Sequence, residues 1–201
     1  MKFALCNEMF GNRPFADTFS TIAKLGYTGV EIAPFTLAPH DEPFDVRHVS
    51  AQKLVDVRTM AEDAGLEIIG LHWLLAKTEG FYLTSPDPTV RRRTAEYLRT
   101  LVEVCADLGG KIMVLGSPKQ RNLLPGVSYE DAEAYAVEVL HGAMAACKRF
   151  GVTIGLEIPG NVDEFEKEID VFTKRAVEKL KLVANKIAAL SGLPAVWKDK
   201  S

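Results

Sequence analysis

Five times along this chain an apolar, strand-like run ends in a polar residue, and an amphipathic helical stretch follows each time. Phe3-Ala4-Leu5-Cys6 runs into Asn7 and Glu8, and Gly29-Val30 runs into Glu31. Ile68 to Leu71 runs into His72, Ile112 to Leu115 into Ser117 and Lys119, and Val152 to Leu156 into Glu157. Repeated strand-helix units predict an α/β protein built on a parallel sheet. In such a sheet the strand C-termini gather at one face, and that face carries the site.

The punctuation fits this rhythm. Strand one is expected at about Lys2 to Asn7, followed by a helix from Pro14 or Phe15 to Leu25, with proline in its first turn and Gly26 as its stop. Strand two is Tyr27 to Ile32, and a long, proline-rich loop covers Ala33 to Val49. Ser50 caps a helix to Ala64, stopped by Gly65. Glu67 to Trp73 is strand three, with a loop to about Ser85 and a long helix from Pro88 to Leu108. Lys111 to Leu115 is strand four, Gly116 to Val127 a loop, and Ser128 caps a helix to Phe150. Val152 to Glu157 is strand five. Helix-to-strand joints are tight and turn on a glycine, whereas strand-to-helix loops are long and polar. In a (β/α) barrel the second kind of loop builds the active site.

The rhythm stops after the fifth unit. From Asp163 to about Leu190 one helical pattern runs without Gly or Pro. Its apolar stripe is Phe165, Ile169, Phe172, Ala176, Leu180, Val183, Ile187 and Leu190, and Lys and Glu fill the other face. Gly192 and Pro194 end it, and no sixth strand is visible. The expected organisation is therefore a partial barrel of five strands over residues 1–160, with a long amphipathic capping helix and short tail over residues 161–201. A Lys/Glu/Ala-rich helix of this kind suits the covering of an exposed sheet edge.

With 201 residues, 47% of them apolar, the chain can fill one core but not two ordinary domains. A formal charge of −3 leaves no basic footprint for nucleic acid or an anionic membrane, and no apolar run approaches the roughly 20 residues needed to cross a bilayer. Three cysteines, Cys6, Cys105 and Cys147, lie scattered without a CxxC spacing, which argues for reduced thiols. Cys105 and Cys147 occupy apolar helical positions and are expected in the core. No signal-peptide pattern precedes strand one, so the expected location is cytoplasmic.

Glu157 is the leading candidate for chemistry. A carboxylate ending a buried strand is costly unless it is paired, hydrogen-bonded or metal-bound, and a buried salt bridge or a solvent-facing rim position are the alternatives. His72 ends strand three, where a neutral imidazole can hydrogen-bond a substrate hydroxyl or bind a metal; the alternative is a satisfied core histidine. Glu31 and Glu8 share the same predicted rim, and each is balanced against pairing with a neighbouring cation. Trp73 offers an apolar wall for a sugar face, or simply fills the core. The loop Gly116-Ser117-Pro118-Lys119-Gln120-Arg121-Asn122 carries Ser117, Lys119 and Arg121 as hydrogen-bonding and cationic groups suited to an oxygen-rich or anionic small molecule, unless it is a plain surface loop. It lacks the GxxxxGK[ST] spacing of a nucleotide P-loop. His40, His48 and His141 are expected to be solvated or packing residues, and Arg91-Arg92-Arg93 a solvated helix face.

With these residues in place, the chain resembles the sugar phosphate isomerase/epimerase family, which has the xylose isomerase-like TIM-barrel fold. The resemblance rests on Gly70-Leu71-His72-Trp73-Leu74-Leu75, Ala106-Asp107-Leu108-Gly109-Gly110-Lys111, the Gly116-to-Asn122 loop and Gly155-Leu156-Glu157, and covers about residues 1–160. It implies a divalent metal, Mn²⁺ or Mg²⁺, with Glu157 as its first ligand and as one of two acid/base glutamates. Proton transfer beside a carbonyl then runs through an enediolate. It also implies that His72 contacts a substrate oxygen, and that Glu31 and Lys119 line the pocket of a sugar or sugar phosphate.

The family's remaining ligands and second glutamate belong to later strands without counterparts here, and typical barrels need about 250 residues. The sequence thus leaves two readings beside each other. One is a sugar isomerase or epimerase-like protein, built for metal-assisted proton transfer next to a carbonyl, whose activity is open to loss because the later-strand ligands are absent. The other is a non-catalytic half-barrel scaffold or binding module that forms a homo-oligomer through its open sheet edge or last helix. A DNA-repair enzyme of the endonuclease IV type shares the superfamily, but needs several metal-binding histidines and a basic surface. Four scattered histidines and a net negative charge argue against it.

Overall fold

The computed structural model describes residues 2–116 and 118–157. The expected helix at 161–201 lies outside the described residues. Nine elements alternate along the chain: β1 (Ala4–Cys6), α1 (Phe15–Lys24), β2 (Gly29–Ile32), α2 (Ala51–Asp63), β3 (Glu67–Leu71), α3 (Pro88–Asp107), β4 (Ile112–Leu115), α4 (Tyr129–Phe150) and β5 (Thr153–Leu156). The five strands form one parallel sheet in the order β1-β2-β3-β4-β5, each pairing with its sequence neighbour. The architecture is the predicted α/β one, and the described residues form five strands of a (β/α) barrel without closing it.

Local chemistry explains the boundaries. Ser50 and Ser128 cap α2 and α4, their hydroxyls accepting from the N–H groups of Lys53 and Asp131. Asp87 does the same for α3 by accepting from Thr89 N–H, with Pro88 in the first turn, where its missing N–H costs nothing. Gly151 ends α4 in the left-handed region at φ 67°, which residues with a Cβ avoid. The strands are shorter than expected, because pairing ends where the chain leaves the sheet to build the rim.

The sheet has two unlike faces. Val30, Ile32, Ile68, Leu71, Met113 and Leu115 point to the helix layer and are buried against Phe19, Ile22, Leu54, Val57, Leu98, Leu101 and Val139. Cys105 and Cys147 are buried in the same core, as expected. In the paired register Cys6, Glu31, Gly70 and Ile112 share the opposite face, which in a barrel is the interior. There Ile112 is 42% exposed.

Two expectations need correction. The strand-to-helix loops are not simply polar. Phe44 and Val46 are buried from the loop after β2, where short 3-10 turns at Pro34–Leu37 and Val46–His48 fold it over the core. Leu74, Leu75, Phe81 and Leu83 are buried from the loop after β3, which is tied to its neighbours by Phe44 N–H donating to the Lys77 carbonyl and Leu83 N–H to that of Gln120. Arg91 is no solvated face residue. It is buried, bonds Glu138 at 2.9 Å and the carbonyls of Ser85 and Pro86, and lies over the Tyr135 ring, tying α3 to α4. Arg92 and Arg93 are exposed as expected, as are His40, His48 and His141.

At Gly70 the backbones of β3 and β4 approach so closely that a Cβ would stand 1.7 Å from the Ile112 carbonyl oxygen. Backbone cannot swing aside as a side chain can. Gly70→Ala should therefore destabilise the fold by about 3 kcal/mol or more, at the top of the usual overpacking range. A urea midpoint unchanged from the parent would show that the strands are not held this tightly.

Candidate active site

Each strand delivers its last inward-facing residue to one rim. Cys6 ends β1 and pairs with Glu31 on β2. Glu31 in turn faces Gly70, and β3 carries one extra residue here, Ile69, so the register shifts between Val30 and Glu31. A bulge of this kind re-aims the residues beyond it. His72, two residues past Gly70, emerges on the face of Glu31 and is anchored by its N–H donating to the Ile32 carbonyl at 3.1 Å.

The imidazole of His72 lies between two carboxylates. Nδ1 is 3.2 Å from Glu31 Oε2, and Nε2 is 3.3 Å from Glu157 Oε2. Glu157 comes from beyond β5, so it crosses the end of β4 to reach His72. A Cβ on Gly116 would stand 2.0 Å from Glu157 Oε2. The missing side chain at 116 is the passage through which the carboxylate passes. Arg121 holds the same corner from behind. Its guanidinium donates to the carbonyls of Leu115 at 3.4 Å and Glu157 at 3.2 Å.

This environment favours the charged ring. The hydrogen bond to Cys6 raises the His72 pKa most, that to Glu31 next and that to Glu157 after it, while burial pulls the other way; the balance carries the value from its ordinary 6.5 to about 10. A pKa raised in this way favours the protonated ring at neutral pH. The Glu157 side chain remains 49% exposed, against 20% for His72, so it is the more accessible of the pair.

The other predicted residues distribute unevenly. Trp73 stacks beside His72, ring centroids 5.7 Å apart and planes 23° from parallel, with 41% of its surface exposed. Its backbone is left-handed at φ 58°, a conformation that costs a residue with a Cβ roughly 1–2 kcal/mol. Lys119 is exposed in the 3-10 turn Pro118–Gln120. Arg121 is not a surface cation, being only 1% exposed. Ser117 lies outside the described residues. Glu8 sits half-buried in the 3-10 turn Asn7–Phe10, past the end of β1 rather than in the His72 cluster. Asn7 is structural, its Oδ1 accepting from Ala33 N–H at 2.8 Å and its amide donating to Thr36.

Cys6 and Gly116 are members of this cluster that the sequence pattern did not mark as site residues. The signal was available for Cys6. Strand side chains alternate, so the inward residue of β1 is in phase with Glu31, whereas Asn7 and Glu8 fall in the turn beyond. The role of Gly116 depends on the reach of Glu157 across β4, which no local pattern encodes.

A parallel strand-helix sheet with its donor groups at the strand C-terminal rim defines a TIM-barrel-type protein. The chain belongs to the xylose isomerase-like TIM barrel family, whose profile matches residues 19–184. No curated protein sequence matches it. Among solved structures it is similar to D-psicose 3-epimerase from Clostridium cellulolyticum, at 16% identity and a TM-score of 0.63, over 79% of this chain and 52% of that one. It is also similar to the 3-keto-D-glucoside 4-epimerase YcjR from E. coli, at 18% identity and a TM-score of 0.61, over 79% and 56%. A sugar phosphate isomerase/epimerase from Parabacteroides distasonis gives 22% identity and a TM-score of 0.54, over 77% and 50%. At these identities the likeness establishes the fold, and the chain spans about half the length of these structures. No helix among the described residues is long and apolar enough to cross a membrane.

A histidine whose pKa is raised on folding stabilises the fold fully below its unfolded value, and the contribution disappears as pH rises through the folded value. In the metal-free protein, stability should therefore fall between about pH 6.5 and pH 10 as His72 loses its proton. Gly116→Ala should weaken this pH dependence by pushing Glu157 off the ring. Urea midpoints measured across that range test both, and an identical pH slope in the variant would contradict the placement of Glu157.

Proposed function

We propose that this protein acts on a sugar or sugar phosphate as an isomerase or epimerase, moving a proton on a carbon next to a carbonyl. The carrying observation is the half-exposed Glu157 carboxylate, whose Oε2 stands 3.3 Å from Nε2 of the His72 ring. A positioned carboxylate takes the C–H proton, and the electron pair left on carbon delocalises onto the carbonyl oxygen to give an enediolate. The positive ring beside Glu157 lowers the energy of that oxyanion as it forms. Returning the proton to the other face of the same carbon gives an epimer; returning it to the former carbonyl carbon, while the hydroxyl proton of the first carbon passes to the former carbonyl oxygen, gives the isomer. Trp73 supplies a flat apolar wall to the sugar ring, and Lys119 on the exposed turn suits a phosphate or hydroxyl group. Arg121 acts as a positioning residue through the Glu157 carbonyl. The solved sugar epimerases that share this fold support the substrate class.

The Mn²⁺ or Mg²⁺ implied by the family resemblance fits the described donors poorly. Such ions take about six oxygen-type ligands around one point. Here Glu31 addresses Nδ1 of His72 and Glu157 addresses Nε2, so the two carboxylates stand on opposite edges of one ring. No step is routed through a hard cation.

A second reading is favoured by the exposed interior face around Ile112. A second copy covering that face would make the chain an oligomeric scaffold without turnover. Light scattering over a range of concentrations, with Ile112→Lys as the disrupting variant, detects it.

Incubation with ketoses and ketose phosphates in D₂O, followed by proton NMR, tests the proposal. The parent should exchange a carbon-bound proton beside the carbonyl, and Glu157→Gln should slow this by about 10²-fold or more, the usual contribution of a general base. No exchange by the parent with any of them would contradict the enzymatic reading.

A further inference from the structure

We infer that Cys6, Glu31 and His72 form a zinc site at the ends of β1, β2 and β3, with Glu157 as the carboxylate that orients the metal-bound histidine. One ligand atom from each of the three side chains lies within 4.8 Å of the other two. Tetrahedral zinc, with bonds of about 2.0–2.3 Å, sets its ligand atoms about 3.2–3.8 Å apart. Glu31 Oε2 and His72 Nδ1 already stand 3.2 Å apart. Closing the cluster asks only for small side-chain rotations, because Cys6 and Glu31 are paired across adjacent strands and His72 is fixed by its bond to Ile32.

The donor chemistry selects the ion. A thiolate and an imidazole with one carboxylate oxygen suit zinc, whereas Mg²⁺ and Mn²⁺ prefer an all-oxygen shell. Three protein ligands leave a fourth position open, the pattern of zinc sites that bind a water or substrate oxygen rather than purely structural ones. The outer partner is also present. With Nδ1 on the metal, Nε2 keeps its hydrogen and donates it to Glu157 Oε2, 3.3 Å away. Metal-bound histidines commonly make this second contact to a carboxylate, which fixes the ring orientation and tautomer. Binding releases the Cys6 thiol proton and any proton held at Nδ1 to solvent, so the charge on the ring is exchanged for that of the ion.

All three ligand residues are half-buried, so an ion can enter from the rim. By contrast, Cys105 and Cys147 are buried within the helix layer. The inference goes beyond the proposed reaction and does not depend on it, since a site of this kind exists whether or not a sugar is turned over. If both hold, the zinc lies on the Nδ1 edge of the ring, across it from Glu157, and polarises the Nε2–H that Glu157 accepts.

The test uses the full chain stripped of metal with a chelator and titrated with Co²⁺ as a spectroscopic substitute. One equivalent should produce a near-ultraviolet thiolate-to-cobalt band with intense visible bands of a four-coordinate ion, both removed by stoichiometric Zn²⁺. Cys6→Ser should lose the near-ultraviolet band. Glu157→Gln should keep it while the affinity falls about 10–100-fold, the usual loss for an outer-shell partner. Absence of the band in the parent, or its persistence in Cys6→Ser, overturns the site. Should Cys6→Ser fail to fold, the Cys105→Ala/Cys147→Ala double variant decides instead: a retained band supports Cys6 as the ligand, and a lost one overturns it. None of these readings requires turnover, so they separate this inference from the proposed enzymatic function.

Discussion

Glu157 reaches His72 across the end of β4, and residue 116 has no side chain to stop it. The rim depends on that contact. The imidazole stands between Glu31 on one edge and Glu157 on the other, so three strands that are not all neighbours share one charged cluster. Separate the carboxylates from the ring and each strand end is left with an unbalanced polar group near the core, which is expensive in a partly buried setting. The same cluster supplies both candidate chemistries. Its Nε2 side presents the more exposed carboxylate and its Nδ1 side the second one, with the Cys6 thiol in the same cluster.

The rest of the fold keeps this cluster in position. Buried strand residues pack on the helices, and the close approach at Gly70 sets how tightly β3 and β4 lie together. The loops above are stitched to one another: Leu83 N–H donates to the Gln120 carbonyl at 2.8 Å, and Thr84 and Tyr82 donate to the carbonyl of Asn122. The segment after β3 and the segment after β4 therefore hold each other, with Arg121 beneath them against the ends of β4 and β5. A site on such supports keeps its geometry without a ligand.

Much of this is legible in the sequence. Strand and helix order come from hydrophobic period and from local stops: Ser50 and Ser128 act as caps, and Gly151 ends α4. The rim position of Glu31, His72 and Glu157 comes from strand ends, because parallel strands point their C-termini the same way. The features that are not legible depend on distant contacts. Arg91 reads as part of a charged helix face, and only the packing of α4 brings Glu138 and Tyr135 to it. Arg121 reads as a pocket cation, yet its carbonyl partners belong to the ends of β4 and β5. The apolar residues of the loops give no periodic signal, since short turns and backbone bonds to distant segments, such as Leu83 to Gln120 and Phe44 to Lys77, fold them inward.

Whether Cys6, Glu31 and Glu157 hold His72 as a cation is read most directly by titrating its ring by proton-nitrogen NMR in the metal-free protein. The expected pKa is about 10, lowered in Glu31→Gln and by less in Glu157→Gln. A ring that titrates near its ordinary value of 6.5 in the parent, with neither variant moving it, would contradict the account.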